Sequence, residues 1–160
     1  MLLAVDVGNT QTVFGLYEGE ELGDRWRIAT EAHRTGDELG ALLADFLDLG
    51  AIDGICLSST VPRLVPEYEH VAERWAKAPL LVLGPGVATG ISIRYDDPRE
   101  VGPDRIANSV AARERFGAPV IGTGGLVDLI APHSRTIGPV EPFLTLAGLR
   151  IVWELNREAQ

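Results

Sequence analysis

Asp6 closes an apolar run, Leu2-Leu3-Ala4-Val5, and Val7, Gly8, Asn9, Thr10 and Gln11 follow before a second apolar run opens at Thr12 and Val13. A carboxylate delivered by a strand into a turn of small and hydroxyl-bearing residues suits phosphate chemistry. Such a turn can point successive backbone N–H groups and the Thr10 hydroxyl into one concavity, and Asp6 can hold Mg²⁺, directly or through water, against the same phosphates. The residues also read as a plain hairpin whose acid bonds locally, with Gly8 and Asn9 chosen for unusual backbone angles. A second cluster is Tyr95 with Gly102-Pro103-Asp104-Arg105. Here Asp104 can be a general base beside an arginine that holds an anionic substrate end, or simply the acid favoured at a helix start. The third is Gly122-Thr123-Gly124-Gly125, where a nucleotide can approach the backbone closely or where the chain merely turns. It matches neither a Walker loop nor a dinucleotide fingerprint.

The elements that must carry these residues follow from periodicity. After the first hairpin, Glu21–Thr30 reads as a third strand with Trp26 and Ile28 on one face. Thr35-Gly36-Asp37-Glu38 opens a helix marked by Leu39, Leu42, Leu43, Phe46 and Leu47, which Gly50 stops. Ile52–Ser58 reads as a buried strand. Ser59-Thr60-Val61-Pro62 starts a second helix running to Lys77 with Val65, Tyr68, Val71, Ala72 and Trp75 inward, and Leu80–Leu83 is again strand-like. The order β-β-β-α-β-α-β is that of an α/β layered lobe, whose strand ends are where ligands bind. Beyond a loop-rich Gly84–Pro98, the pattern predicts a helix over Ile106–Phe116, a strand at Ala118–Ile121, a helix at Leu126–Ile130 and a closing helix over Leu144–Asn156.

With 160 residues and 46% hydrophobic content, the chain can bury a sizeable core, and no apolar run reaches membrane-spanning length. A net charge of −9 argues against a nucleic-acid footprint, which needs a basic face, but not against a phosphate met by amides and Mg²⁺. The lone Cys56, set between Ile55 and Leu57, excludes an intramolecular disulfide and reads as a buried small hydrophobe. The start of the chain is too short and polar for a signal peptide, so a reducing cytoplasm is the expected setting. His33, His70 and His133 lack metal-ligand spacing and read as surface or structural.

Asp6-Val7-Gly8-Asn9-Thr10-Gln11-Thr12, Tyr95 with Asp97-Pro98, Gly102-x-Asp104-Arg105-Ile106-Ala107-Asn108, Gly122-Thr123-Gly124-Gly125 and the tail Pro142-Phe143-Leu144-Thr145-Leu146 occur together and in order. In this the chain resembles type III pantothenate kinase, of the acetate and sugar kinase, Hsp70 and actin superfamily. The resemblance implies a ribonuclease-H-like, actin-type α/β fold. It implies ATP-dependent phosphorylation of pantothenate, the first step towards coenzyme A, by a cytoplasmic homodimer using Mg²⁺ and a monovalent cation, K⁺ or NH₄⁺. Carried over, residues 6–13 would cradle the ATP phosphates with Asp6 at the metal, and Gly122–Gly125 would face adenosine. Asp104 would take the proton from the pantothenate hydroxyl, and Tyr95, Gly102, Pro103 and Arg105 would hold pantothenate.

The resemblance breaks after Gly117-Ala118-Pro119-Val120-Ile121, where the family carries a second phosphate motif, Asp-x-Gly-Thr-Ala-x-Thr, and this chain continues into Gly122-Thr123-Gly124-Gly125. Residues 1–117 are therefore expected to form one nearly complete lobe with the pantothenate-motif helix, and 118–160 a truncated second lobe lacking the monovalent-cation carboxylate. Beside active pantothenate phosphorylation stand three alternatives: a non-catalytic nucleotide-binding relative, an inactive deletion form, and another acetate- or sugar-kinase-like phosphotransferase.

Overall fold

The computed structural model describes residues 1–91, 101–116 and 141–157. Strand β1 (Leu2–Val7) turns into β2 (Gln11–Glu18) and β2 into β3 (Glu21–Ala29); after helix α1 (Gly36–Ala44) come β4 (Gly54–Ser59), helix α2 (Val65–His70) and β5 (Leu80–Val82). They form one sheet in the order β3-β2-β1-β4-β5. The two hairpins are antiparallel, whereas β1, β4 and β5 run parallel. Helices α3 (Pro103–Phe116) and α4 (Leu144–Asn156) complete the described elements.

Both faces of β1 are covered, which is why its sequence is a continuous apolar run rather than an alternation. Leu3, Val5 and Val7 join Phe14, Ile55 and Leu57 against Leu39 and Leu43 of α1 and Tyr68 and Val71 on the α2 side. Leu2 and Ala4 face the other way, with Tyr17 and Cys56, against Ile106, Ala107 and Val110 of α3 and Leu146, Leu149 and Val152 of α4. Helices α3 and α4 touch backbone to backbone: a Cβ built on Gly148 would lie 1.9 Å from the Ala107 carbonyl oxygen. Cys56 is fully buried, and its burial pushes the thiol up to about 12, in keeping with its reading as a small hydrophobe.

Several boundaries differ from the periodicity. Thr35 and Glu38 form the expected reciprocal cap, Thr35 N–H donating to Glu38 Oε2 at 2.8 Å and Glu38 N–H to Thr35 Oγ1 at 3.3 Å. But α1 ends at Ala44, and Phe46 and Leu47 follow it as half-buried side chains on the same core. Gly50 falls in a separate 3₁₀ turn, Leu49–Ala51, so it does not stop α1. The second helix is composite: a 3₁₀ turn at Pro62–Leu64, α2, then a π-helical stretch Val71–Ala76 closed by Lys77 at φ 53. Helix α3 starts at Pro103, three residues earlier than the apolar pattern, because proline suits the first helical position. The expected strand at Ala118–Ile121, the helix at Leu126–Ile130 and His133 lie outside the described residues.

Candidate functional site

Along β1 the side chains alternate, so Asp6 follows Leu2 and Ala4 onto the face covered by α3 and α4. It stands opposite Val13 of β2 and Ser58 of β4, at the carboxyl ends of two parallel strands, where an open α/β sheet leaves room for a ligand. Ser58 is fully buried and its Oγ has no hydrogen-bond partner of ordinary geometry among the described residues. The hydroxyl nonetheless lies near enough to Asp6 to favour the ionised carboxylate. Burial acts the other way and is the larger effect, and the charge of Asp104 adds to it, so the Asp6 carboxyl is pushed up to about 6.

Asp104 reaches this place from α3. It sits in the helix's first turn rather than at the capping position ahead of it, and the Gly102 carbonyl accepts from Arg105 N–H at 3.0 Å and Ile106 N–H at 3.3 Å. The carboxylate folds back over Gly102: a Cβ there would lie 2.6 Å from Asp104 Oδ1. Glycine at 102 thus leaves the carboxylate its position, and Pro103 sets the helix start behind it. Arg105 is exposed. A cavity of about 360 Å³ opens alongside, lined by Ser59, Leu83, Gly84, Val87, Val101 and Pro103 among others.

The β1–β2 turn is tight, with Gly8 N–H donating to the Gln11 carbonyl at 3.0 Å across Asn9 and Thr10. Contrary to the expectation of unusual angles, none of Gly8, Asn9 and Thr10 has positive φ. Gly8 is needed for space, since a Cβ would lie 3.0 Å from the Gln11 oxygen. Asn9, Thr10 and Gln11 are exposed, and among the described residues the N–H groups of Asn9 and Thr10 and the Thr10 hydroxyl have no protein partner. The remaining residues of the stretch are engaged in the fold. Val7 is buried and its carbonyl accepts from both N–H and Oγ1 of Thr60, at 2.9 and 3.1 Å. Thr12 Oγ1 is paired with Thr30 Oγ1 at 2.9 Å, and Val13 is half-buried against the α3/α4 core.

Asp6, Asp104 and the turn are therefore brought to one end of the sheet, with Gly102 and Pro103 beside them. Tyr95 and Gly122, Thr123, Gly124 and Gly125 lie outside the described residues. Ser58 and Ser59 are the residues that sequence reasoning passed over; the polar run Ser58-Ser59-Thr60 at the end of a strand parallel to β1 was the available signal.

The donor set suits Mg²⁺. That ion takes one or two carboxylates, keeps waters and shares substrate phosphates rather than needing an all-protein cage. Among the described residues no group of three or more His, Cys, Asp or Glu could hold a metal alone, whereas Asp6 is a carboxylate whose charge burial and Asp104 leave uncompensated.

A family model described as type III pantothenate kinase matches residues 2–139. The type III pantothenate kinase of Acidothermus cellulolyticus is 44% identical over 149 residues, spanning 88% of this chain and 58% of that protein. That of Streptomyces griseus is 44% identical over 154 residues with the same coverage, and that of Myxococcus xanthus 44% identical over 147 residues, spanning 86% and 57%. The chain thus spans less than three fifths of the length of these relatives. In structure it is similar to RuvC of Thermus thermophilus, with a TM-score of 0.52 over 99% of this chain and 95% of that one. At 11% identity this likeness speaks for the ribonuclease-H-like fold and nothing more.

Proposed function

Since this chain belongs to the type III pantothenate kinase family, we propose that it binds Mg-ATP at the β1–β2 turn and transfers the γ-phosphoryl group to the hydroxyl of pantothenate. The observation that supports this most is the convergence of Asp104 and Asp6 at the carboxyl ends of β1 and β4, close enough for one charge to act on the other. In this reading the free amides of Asn9 and Thr10 and the Thr10 hydroxyl take phosphate oxygens. Asp6 would hold Mg²⁺, which when bound supplies charge neutralisation to the transferring phosphoryl group. Asp104 accepts the proton of the attacking hydroxyl. Pantothenate occupies the cavity beside Gly102 and Pro103, with Arg105 and Tyr95 at its carboxylate end, and Gly122–Gly125 faces adenosine. The partners in this reading are ATP, pantothenate and a second copy of the chain, in the cytoplasm. Residues 1–117 form the ATPase-type lobe and 118–160 what the chain retains of the second, whose helix α4 is seated on the first lobe's sheet.

A second reading, nucleotide binding without transfer, is favoured by the sequence after Ile121, which lacks the second phosphate motif and with it the carboxylate expected for K⁺ or NH₄⁺. One experiment separates the two: pantothenate-dependent ADP release with Mg²⁺ and K⁺, for the chain and for Asp104→Asn. Transfer predicts turnover that falls about 100-fold or more in the variant while the rise in melting temperature with Mg-ATP persists. A well-folded chain that Mg-ATP stabilises but that releases no ADP supports the second reading.

A further inference from the structure

The chain leaves β4 through three hydroxyl residues, Ser58-Ser59-Thr60, and two of them are spent on the fold. Ser59 Oγ donates to the Val61 carbonyl at 3.0 Å and accepts from Val61 N–H at 3.1 Å, and Thr60 Oγ1 donates to the Val7 carbonyl at 3.1 Å. Ser58 differs from both. It is fully buried, and its Oγ has no hydrogen-bond partner of ordinary geometry among the described residues. A buried hydroxyl that has lost its water without replacement costs stability, which packing alone does not explain.

Its neighbours supply the reason. Strands β1 and β4 run parallel with Ala4 opposite Cys56 and Asp6 opposite Ser58, so Asp6 and Ser58 share the face covered by α3 and α4, on backbones about 4.8 Å apart. On its other side β4 meets the apolar run Leu80-Leu81-Val82-Leu83, with Leu83 N–H donating to the Leu57 carbonyl at 2.8 Å. The next residue back on the same face, Cys56, lies in the apolar core with Leu83, Ile106 and Ala107. Among the side chains flanking Ser58 in the sheet, Asp6 is the one that carries a strong acceptor. We propose that Ser58 is a positioning residue of the phosphate site, its hydroxyl donating to the Asp6 carboxylate and fixing the direction in which that carboxylate meets Mg²⁺. The role rests on the reading of Asp6 as the group that holds the ion. One carboxylate oxygen tied by Ser58 leaves the other for the metal and stops the group from rotating. Ser58 does not meet the ligand itself, since its Oγ is sealed within the protein; it acts through Asp6. Support of this kind changes metal affinity by about 10- to 100-fold.

The test is thermal unfolding with ATP, in Mg²⁺ and in EDTA, for the parent, Ser58→Ala, Ser58→Cys and Asp6→Asn. In the parent, ATP is expected to raise the melting temperature more with Mg²⁺ than with EDTA, and Asp6→Asn is expected to lose that difference. Ser58→Ala removes one oxygen, and Ser58→Cys fills the space with a weaker donor; both are expected to unfold cooperatively. Both are expected to need about 10-fold more Mg-ATP for half of the rise, while their response to ATP in EDTA stays that of the parent. A merely structural role would move the two responses together, and that result overturns the proposal. Ser58 variants with the parent's half-point, beside an Asp6→Asn variant that has lost the difference, overturn the role of Ser58 and leave that of Asp6 standing. A parent without a Mg²⁺-dependent rise, or an Asp6→Asn variant that keeps it, overturns the reading of Asp6 and the role of Ser58 with it.

Discussion

The two ends of β1 differ in what they leave unmet. At the carboxyl end the charge of Asp104 bears on the half-buried Asp6 carboxylate next to exposed amides; at the amino end two buried donors, the Tyr17 hydroxyl and Arg150 Nε, have no hydrogen-bond partner among the described residues. Between them lies Ala4, fully buried in the apolar core that α3 and α4 cover. The contrast teaches where a sheet covered on both faces leaves its polar groups unbalanced. Interior polar groups are ordinarily balanced within the fold, and the two ends are where that balance fails, with excess negative charge at one and unmet donors at the other.

The most severe way to break the comparison is to remove the helix on which both ends depend. Gly148→Val would drive its side chain into the Ala107 carbonyl, 1.9 Å from the position of a Cβ, and separate α3, which carries Asp104, from α4, which carries Arg150. A loss of more than ~4 kcal/mol is expected, read as failure of the cooperative transition in urea and loss of the melting-temperature rise with Mg-ATP. A Mg-ATP response that survives in the variant would mean that the carboxyl end does not depend on α4.

Asp6→Asn sharpens the comparison at one end. The Asp6 carboxyl is raised from 3.8 to about 6, so its contribution to stability is complete below the unfolded value and is lost as pH climbs through 6. That difference corresponds to at most ~3 kcal/mol. The variant is thus expected to be more stable than the parent in urea at pH 7.5 by ~1–3 kcal/mol, to match it near pH 4, and to lose the melting-temperature rise with Mg-ATP. Equal stability at both pH values would show that the carboxylate is well compensated.

Gly102→Ala has the smallest effect. It displaces the Asp104 carboxylate, and the expected result is a drop in the Asp6 titration midpoint seen by NMR, with stability changed by less than ~1 kcal/mol. An unchanged midpoint would place the charge acting on Asp6 elsewhere.

Much of the fold was legible because short-range signals are strong where both faces are buried. The runs Leu2–Val5 and Ile55–Leu57 and the cap at Thr35 each name their element. What failed was local geometry that periodicity cannot distinguish. Phe46 and Leu47 keep helical spacing yet pack from beyond the end of α1, and Val71–Ala76 reads like α-helix although it is wound more loosely. Asp6 and Asp104 were legible as candidates by residue type. Ser58 was not, because its place beside Asp6 depends on a parallel register between strands some fifty residues apart, and the placing of Tyr17 near Arg150 joins a hairpin to a helix over a hundred residues later.

Helix α4 also sets an order of events during synthesis. The sheet face formed by β1, β2, β4 and β5 is complete in sequence once Val82 is made, but its cover includes Leu146, Leu149 and Val152. At ~5–20 residues per second, that face waits roughly 4–15 s for its last helix. During that interval Leu2, Ala4, Tyr17 and Cys56 lack the cover that α4 gives them, and the nascent chain presents an apolar face that the folded one does not.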